Sequence, residues 1–132
     1  MVGMSEWGSE YYHNVFKDLV LTIGSNSSWE HTNNIGGGFG DKGDVLIENC
    51  IMKSSYVKNI DYHSKGGTTP QIGECKVIIK DCVIDKTVTA TPSGVTTTFK
   101  NKVYVTNCLC GTIPSNYDGS NIQLVSWNNI KS

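Results

Sequence analysis

Val45-Leu-Ile-Glu-Asn-Cys-Ile-Met52 returns twice without a gap, as Val77-Ile-Ile-Lys-Asp-Cys-Val-Ile84 and as Val103-Tyr-Val-Thr-Asn-Cys-Leu-Cys110. Weaker copies flank these three, Asn14-Val-Phe-Lys-Asp-Leu-Val-Leu21 before them and Leu124-Val-Ser-Trp-Asn-Asn-Ile-Lys131 after them. The shared Asn/Asp position falls at Asp18, Asn49, Asp81, Asn107 and Asn128, at intervals of 31, 32, 26 and 21 residues. These intervals lie in the range of solenoid repeats but vary, so constant strands joined by loops of unequal length are expected.

Phase within a copy decides the geometry. A strand alternates its faces with period two, which puts Val45 and Ile47 on one side. The next residues best suited to burial are Cys50 and Met52, so the inward series jumps by three. A straight strand cannot bury both pairs, whereas a corner at Asn49 can, because Asn and Asp tolerate the left-handed conformation that turns a chain in one residue. Each copy then reads strand, corner, strand. Repetition in one direction stacks the strands in parallel and aligns the corner residues Asp18, Asn49, Asp81, Asn107 and Asn128 in a column where side-chain amides can form a ladder. The expected inward stacks are Val45/Val77/Val103, Ile47/Ile79/Val105, Cys50/Cys82/Cys108 and Met52/Ile84/Cys110. Leu19 and Asn129 stand in the cysteine position of the outer copies and mark the expected ends of the stack.

An antiparallel sandwich is the alternative, since it also produces short Val/Ile/Thr strands between Gly and Asn turns. It leaves the return of Asn/Asp-Cys at one phase without a cause, and its hairpins favour Asn-Gly or Asp-Gly turns. Asp118-Gly119 is the sole such dipeptide, and it is expected in a loop.

The repeat resembles the pectin-lyase-like superfamily over residues 14–131, where a Val-x-Ile-x-Asn-Cys coil and an Asn ladder are familiar. Tyr62-His63-Ser64 ahead of Val77-Ile-Ile-Lys-Asp-Cys82 is similar to β-helix segments of bacteriophage tail-spike and virion proteins. The resemblance implies an all-β chain, a right-handed parallel β-helix of about three to five coils with long irregular loops. It also implies self-association, as a trimer, and a virion location after assembly in the host cytoplasm; a bacterial extracellular or cell-surface location is the alternative. The function it implies is a non-catalytic structural module. A polysaccharide lyase or glycoside hydrolase of the same fold and an adhesin-like surface repeat are the alternatives.

At 132 residues and 14.4 kDa the chain is expected to form one domain over residues 1–132. Residues 1–12 are expected to cap the coils or stand outside them, and 13–131 to form them. The sequence stops in or just after a coil, so the C-terminal end is expected to be bare, with Trp127 and Ile130 covered by further chain or another subunit.

Composition narrows the chemistry. A net charge of -1 with scattered lysines gives no patch that would neutralise phosphates, so nucleic acid is not an expected partner. No apolar run is long enough to span a membrane, and no signal peptide opens the sequence. All 11 basic residues are lysine, which removes the arginine base that the resemblance would supply to a lyase. The paired aspartates and Gly-His-Gly of a polygalacturonase are missing too. Five cysteines without CxxC pairs suggest neither zinc nor a disulfide framework; Cys50, Cys82 and Cys108 read as small buried residues of a reduced protein. No cofactor and no metal site are expected, since His13, His31 and His63 lack metal spacing.

Two candidate sites remain. Asp61 and Asp85 flank strands of adjacent copies, and a glycosidase needs two carboxylates about 5 to 10 Å apart. Trp29, His31, Tyr56, Asp61, Tyr62, His63 and Lys65 gather aromatic rings and polar groups in two long loops, the composition of a sugar-binding groove. Gly36-Gly-Gly-Phe-Gly-Asp-Lys-Gly-Asp44 fits neither a calcium turn nor a phosphate loop and is expected to be a flexible connection.

Overall fold

The computed structural model describes residues 2–3, 12–23, 35–38, 43–54, 60–63, 74–91 and 100–132. Among them the chain forms strands and no helix. In order these are β1 (Val2–Gly3), β2 (Tyr12–Lys17), β3 (Val20–Ile23), β4 (Ile35–Gly38), β5 (Gly43–Glu48), β6 (Ile51–Ser54), β7 (Ile60–His63) and β8 (Cys75–Lys80). They continue as β9 (Val83–Ile84), β10 (Val88–Thr91), β11 (Asn101–Thr106), β12 (Leu109–Cys110), β13 (Tyr117–Asp118), β14 (Ile122–Trp127) and β15 (Ile130–Lys131).

Three sheets result. Sheet A has the order β1-β4-β7-β10, sheet B β13-β14-β11-β8-β5-β2, and sheet C β15-β12-β9-β6-β3. From β2 to β12 the chain visits B, C and A in rotation, and every pairing in that stretch is parallel. The repeat sets this register. Val45 pairs with Val77 and Val77 with Val103, while Ile47 pairs with Ile79 and Ile79 with Val105. These β-branched residues favour the extended, pleated conformation.

The core lies where the inward phase puts it. Val45, Ile47, Cys50, Met52 and their equivalents through Cys110 are buried in one cluster, which Val88, Ile122 and Leu124 extend and against which Phe16 and Ala90 pack. Full burial of such a side chain contributes roughly 1.5–3 kcal/mol. Most of each coil's stabilisation therefore comes from the coils above and below it.

All five column residues adopt the left-handed conformation, with φ of 59° at Asp18, 52° at Asn49, 56° at Asp81, 54° at Asn107 and 54° at Asn128. The hydrogen bonding runs on through the bend. The N–H groups of Asp18, Asn49 and Asp81 each donate at 3.2 Å to the residue before the next corner, namely Glu48, Lys80 and Thr106. Past the corner, Ile51, Val83, Leu109 and Ile130 donate to the carbonyls of Leu19, Cys50, Cys82 and Cys108 at 2.8–2.9 Å.

The structure corrects three expectations. Gly36–Gly38 is not a flexible connection: it belongs to β4 and pairs with β7. The C-terminal end is not bare at sheet B, because β13 lies antiparallel along the outer edge of β14. Asp118-Gly119 accordingly makes the turn into that one antiparallel pair, closed by Gly119 N–H donating to Ile122 O at 2.9 Å. At the other end Leu19 occupies the cysteine position without being buried. As for residues 1–12, Val2 and Gly3 pair with Ile35 and Gly36 in sheet A.

Candidate functional site

Of the residues expected to bind sugar, Trp29, His31, Tyr56 and Lys65 lie outside the described residues. Asp61, Tyr62 and His63 lie on β7 in sheet A, in register with Thr89, Ala90 and Thr91 of β10. Asp85 follows β9 of sheet C, exposed, its N–H donating to Met52 O at 3.1 Å. Thr89, not Asp85, is the neighbour of Asp61 in the next coil, so the strand pairing does not juxtapose the two carboxylates.

The corner column forms a side-chain ladder in two pieces. Asn49 Nδ2 donates to Asp18 Oδ1 at 2.7 Å, and Asn128 Nδ2 donates to Asn107 Oδ1 at 2.6 Å. Both bonds point toward the N-terminus. Asp81 stands between the pieces and, as a carboxylate, has no donor to pass to Asn49. A second ladder runs alongside it. Glu48 bridges Lys17 at 3.3 Å and Lys80 at 2.9 Å, in strands paired at those residues. Lys80, and then Lys17, hold the Glu48 carboxyl below its ordinary range, and Glu48 in turn holds Lys80 above its own.

Cysteine suits its place because the thiol is small and still a weak donor. Cys50, Cys82 and Cys108 Sγ donate to the carbonyls two residues back, of Glu48, Lys80 and Thr106, at 3.3, 3.1 and 3.2 Å. They also approach Phe16, Ile47 and Ile79 carbonyls of the preceding coil at 3.6–3.9 Å. In the last coil Asn129 meets the equivalent carbonyl, Val105 O, with its amide at 2.8 Å, while its Oδ1 accepts from Cys108 N–H at 2.9 Å. Cys50, Cys82, Cys108 and Cys110 are free and buried. Burial pushes the Cys110 thiol up to about 11 and raises Cys50; a hydrogen bond to Cys108, with burial, raises Cys82. These thiols are inert packing groups rather than nucleophiles.

Concave surface lies where the sequence gave no warning. A cleft of about 220 Å³ opens between β10 and the segment before β13, lined by Thr87, Val88, Thr112, Ile113, Ser115 and Tyr117 among others. A neighbouring cleft of about 320 Å³ is lined by Asn116, Tyr117, Asp118, Gln123, Leu124 and Val125. Tyr117 lines both. Its ring lies over Gly119, where an added Cβ would come within 2.7 Å of it, so that glycine sets the ring's position. Lys100 pairs with Asp118, and Asn116 Oδ1 accepts from Ser126 N–H at 2.7 Å, which ties the segment to sheet B. Hydroxyls beside a fixed ring can hold a neutral, hydroxyl-rich ligand. Tyr117 stands in no repeat and in no aromatic cluster of the sequence; Asp118-Gly119 beside it was the one available signal.

Among the described residues, no three His, Cys, Asp or Glu side chains converge as metal ligands would, and no helix is long and apolar enough to cross a membrane. Compared with known proteins, the chain matches no family model, no curated protein and no solved structure.

Proposed function

We propose that the three sheets are the faces of one right-handed parallel β-helix, and that the chain is a non-catalytic structural module of a bacteriophage virion protein of the tail-spike or tail-fibre kind. One observation carries the architectural half: five left-handed corners fall at equivalent positions of successive coils. The right hand follows from the strong general preference of parallel crossovers for it. The resemblance of Tyr62-His63-Ser64 and the Asn-Cys coils to virion β-helix segments supports the functional half. Four free buried thiols suit folding in a reducing cytoplasm. Contact with a surface polysaccharide is assigned to the two clefts at Tyr117.

A crystal structure of the chain tests the architecture: a left-handed crossover from β5 to β8 overturns it. Incubation with a panel of acidic and neutral polysaccharides, assayed for new reducing ends and unsaturated sugars, tests the function. No turnover is expected. Turnover abolished by Asp61→Asn or Asp85→Asn replaces the structural reading with that of a lyase or hydrolase of the same architecture.

A further inference from the structure

Each coil places an aliphatic residue on the outside of sheet C, directly after the buried cysteine position. Val20, Ile51, Val83, Leu109 and Ile130 are in register from strand to strand and form one unbroken outward column. Their exposures are 66%, 40%, 41%, 40% and 67%. Single exposed aliphatics are ordinary, but a contiguous apolar row marks a contact surface. The column is bordered by the polar corner ladder on one side and by exposed Lys53 and Asp85 on the other. An apolar core inside a polar rim is the anatomy of a protein interface.

We infer that this column is the contact face for a second copy of the same chain. Its rows repeat at the strand spacing of about 4.8 Å, so the five span about 19 Å. A partner must present rows at that interval to meet all five, and another copy does so by construction. A standard interface of about 800 Å² per side is about 28 Å across, so the column runs two-thirds of that width and leaves room for the rim. A net charge of -1 per chain imposes little repulsion between copies. Aliphatic rows without aromatic rings fit a protein face better than a sugar. The inference stands on the register of sheet C alone and holds whatever the module serves.

Light scattering coupled to size exclusion, over a hundredfold range of concentration, tests it with the full chain and the double variant Ile51→Lys, Leu109→Lys. Both substituted side chains point outward, and unchanged far-UV circular dichroism and melting temperature show that the fold survives. The native chain is expected to self-associate and the variant to run as a monomer, with at least a hundredfold weaker association. Gln123→Lys, which adds a charge on sheet B, is expected to leave the assembly intact. A native chain that is monomeric throughout, or a folded double variant that associates as the native chain does, overturns the inference. Neither result touches the polysaccharide assay or the hand of the crossover, so the two readings fail separately.

Discussion

Asn49 and Asp18 sit 31 residues apart in sequence, yet the Asn49 amide reaches the Asp18 carboxylate at 2.7 Å. The bond joins two residues that both hold a left-handed backbone, so one side chain serves the turn and the stacking together. The first prediction follows from where this ladder stops. Asp81→Asn keeps a residue tolerant of positive φ and supplies a donor for Asn49 Oδ1, joining the two pieces. A gain of about 0.5–1.5 kcal/mol is expected in urea unfolding, the usual net value of one hydrogen bond.

At Asn107 the turn and the ladder separate by substitution. Asn107→Gly loses the acceptor of the Asn128 amide but keeps the φ of 54° without strain. Asn107→Ala loses both and adds roughly 1–2 kcal/mol for a left-handed alanine. Denaturation midpoints are expected in the order native, Gly, Ala.

Gly111 lies flat on the coil below it, its N–H donating to Ile84 O at 2.8 Å. A Cβ there would meet Asp85 O at 1.9 Å, which is backbone and cannot swing aside. Gly111→Ala is expected to destabilise by about 1–3 kcal/mol or more, as overpacking does, and to lower the melting temperature accordingly.

The thiols offer a chemical test of the core. At pH 8 an alkylating reagent is expected to spare Cys50, Cys82, Cys108 and Cys110 in the native protein and to label all four in denaturant, read residue by residue by mass spectrometry. The raised pKa values of Cys50 and Cys110 carry a sign: the stabilisation from keeping these thiols protonated is complete below the ordinary value of 9.0 and is lost as pH rises above it. Native-state labelling should therefore accelerate in alkaline solution more steeply than that of a free thiol.

Glu48 gives the opposite pH dependence. The carboxyl is held below 4.5 by Lys80 and Lys17, so its contribution is present above that pH and is lost as pH falls through the lowered value. Glu48→Gln is expected to unfold earlier than the native chain at pH 7, and the gap should close in acid and shrink in high salt. A gap that persists at pH 3 would show that the ion pairs are not its source.

Much of this fold was legible because burial leaves a period. The jump from Ile47 to Cys50 located the corner and with it the four inward stacks, all of which are buried. Sheet A was illegible for the converse reason: Ile35–Gly38, Ile60–His63 and Val88–Thr91 share one apolar position and little else. The Tyr117 clefts arise where the chain leaves the repeat after Thr112, so no periodic signal could announce them. Gly111 escaped notice because its role depends on a carbonyl 26 residues away in sequence. The outward column was present in the repeat as the apolar residue after each cysteine, but its continuity is a property of register between strands.

The bonds that pass through each bend give the stack a mechanical direction. The N–H groups of Asp18, Asn49 and Asp81 and the cysteine carbonyls all point along the stacking axis, one row above another. Tension along that axis loads the rows in series, so the rod peels open one turn at a time from an end. Tension along a strand is shared by every row of that sheet in parallel and by the covalent chain itself. A load-bearing part built this way resists bending and sideways shear far better than being drawn out lengthwise.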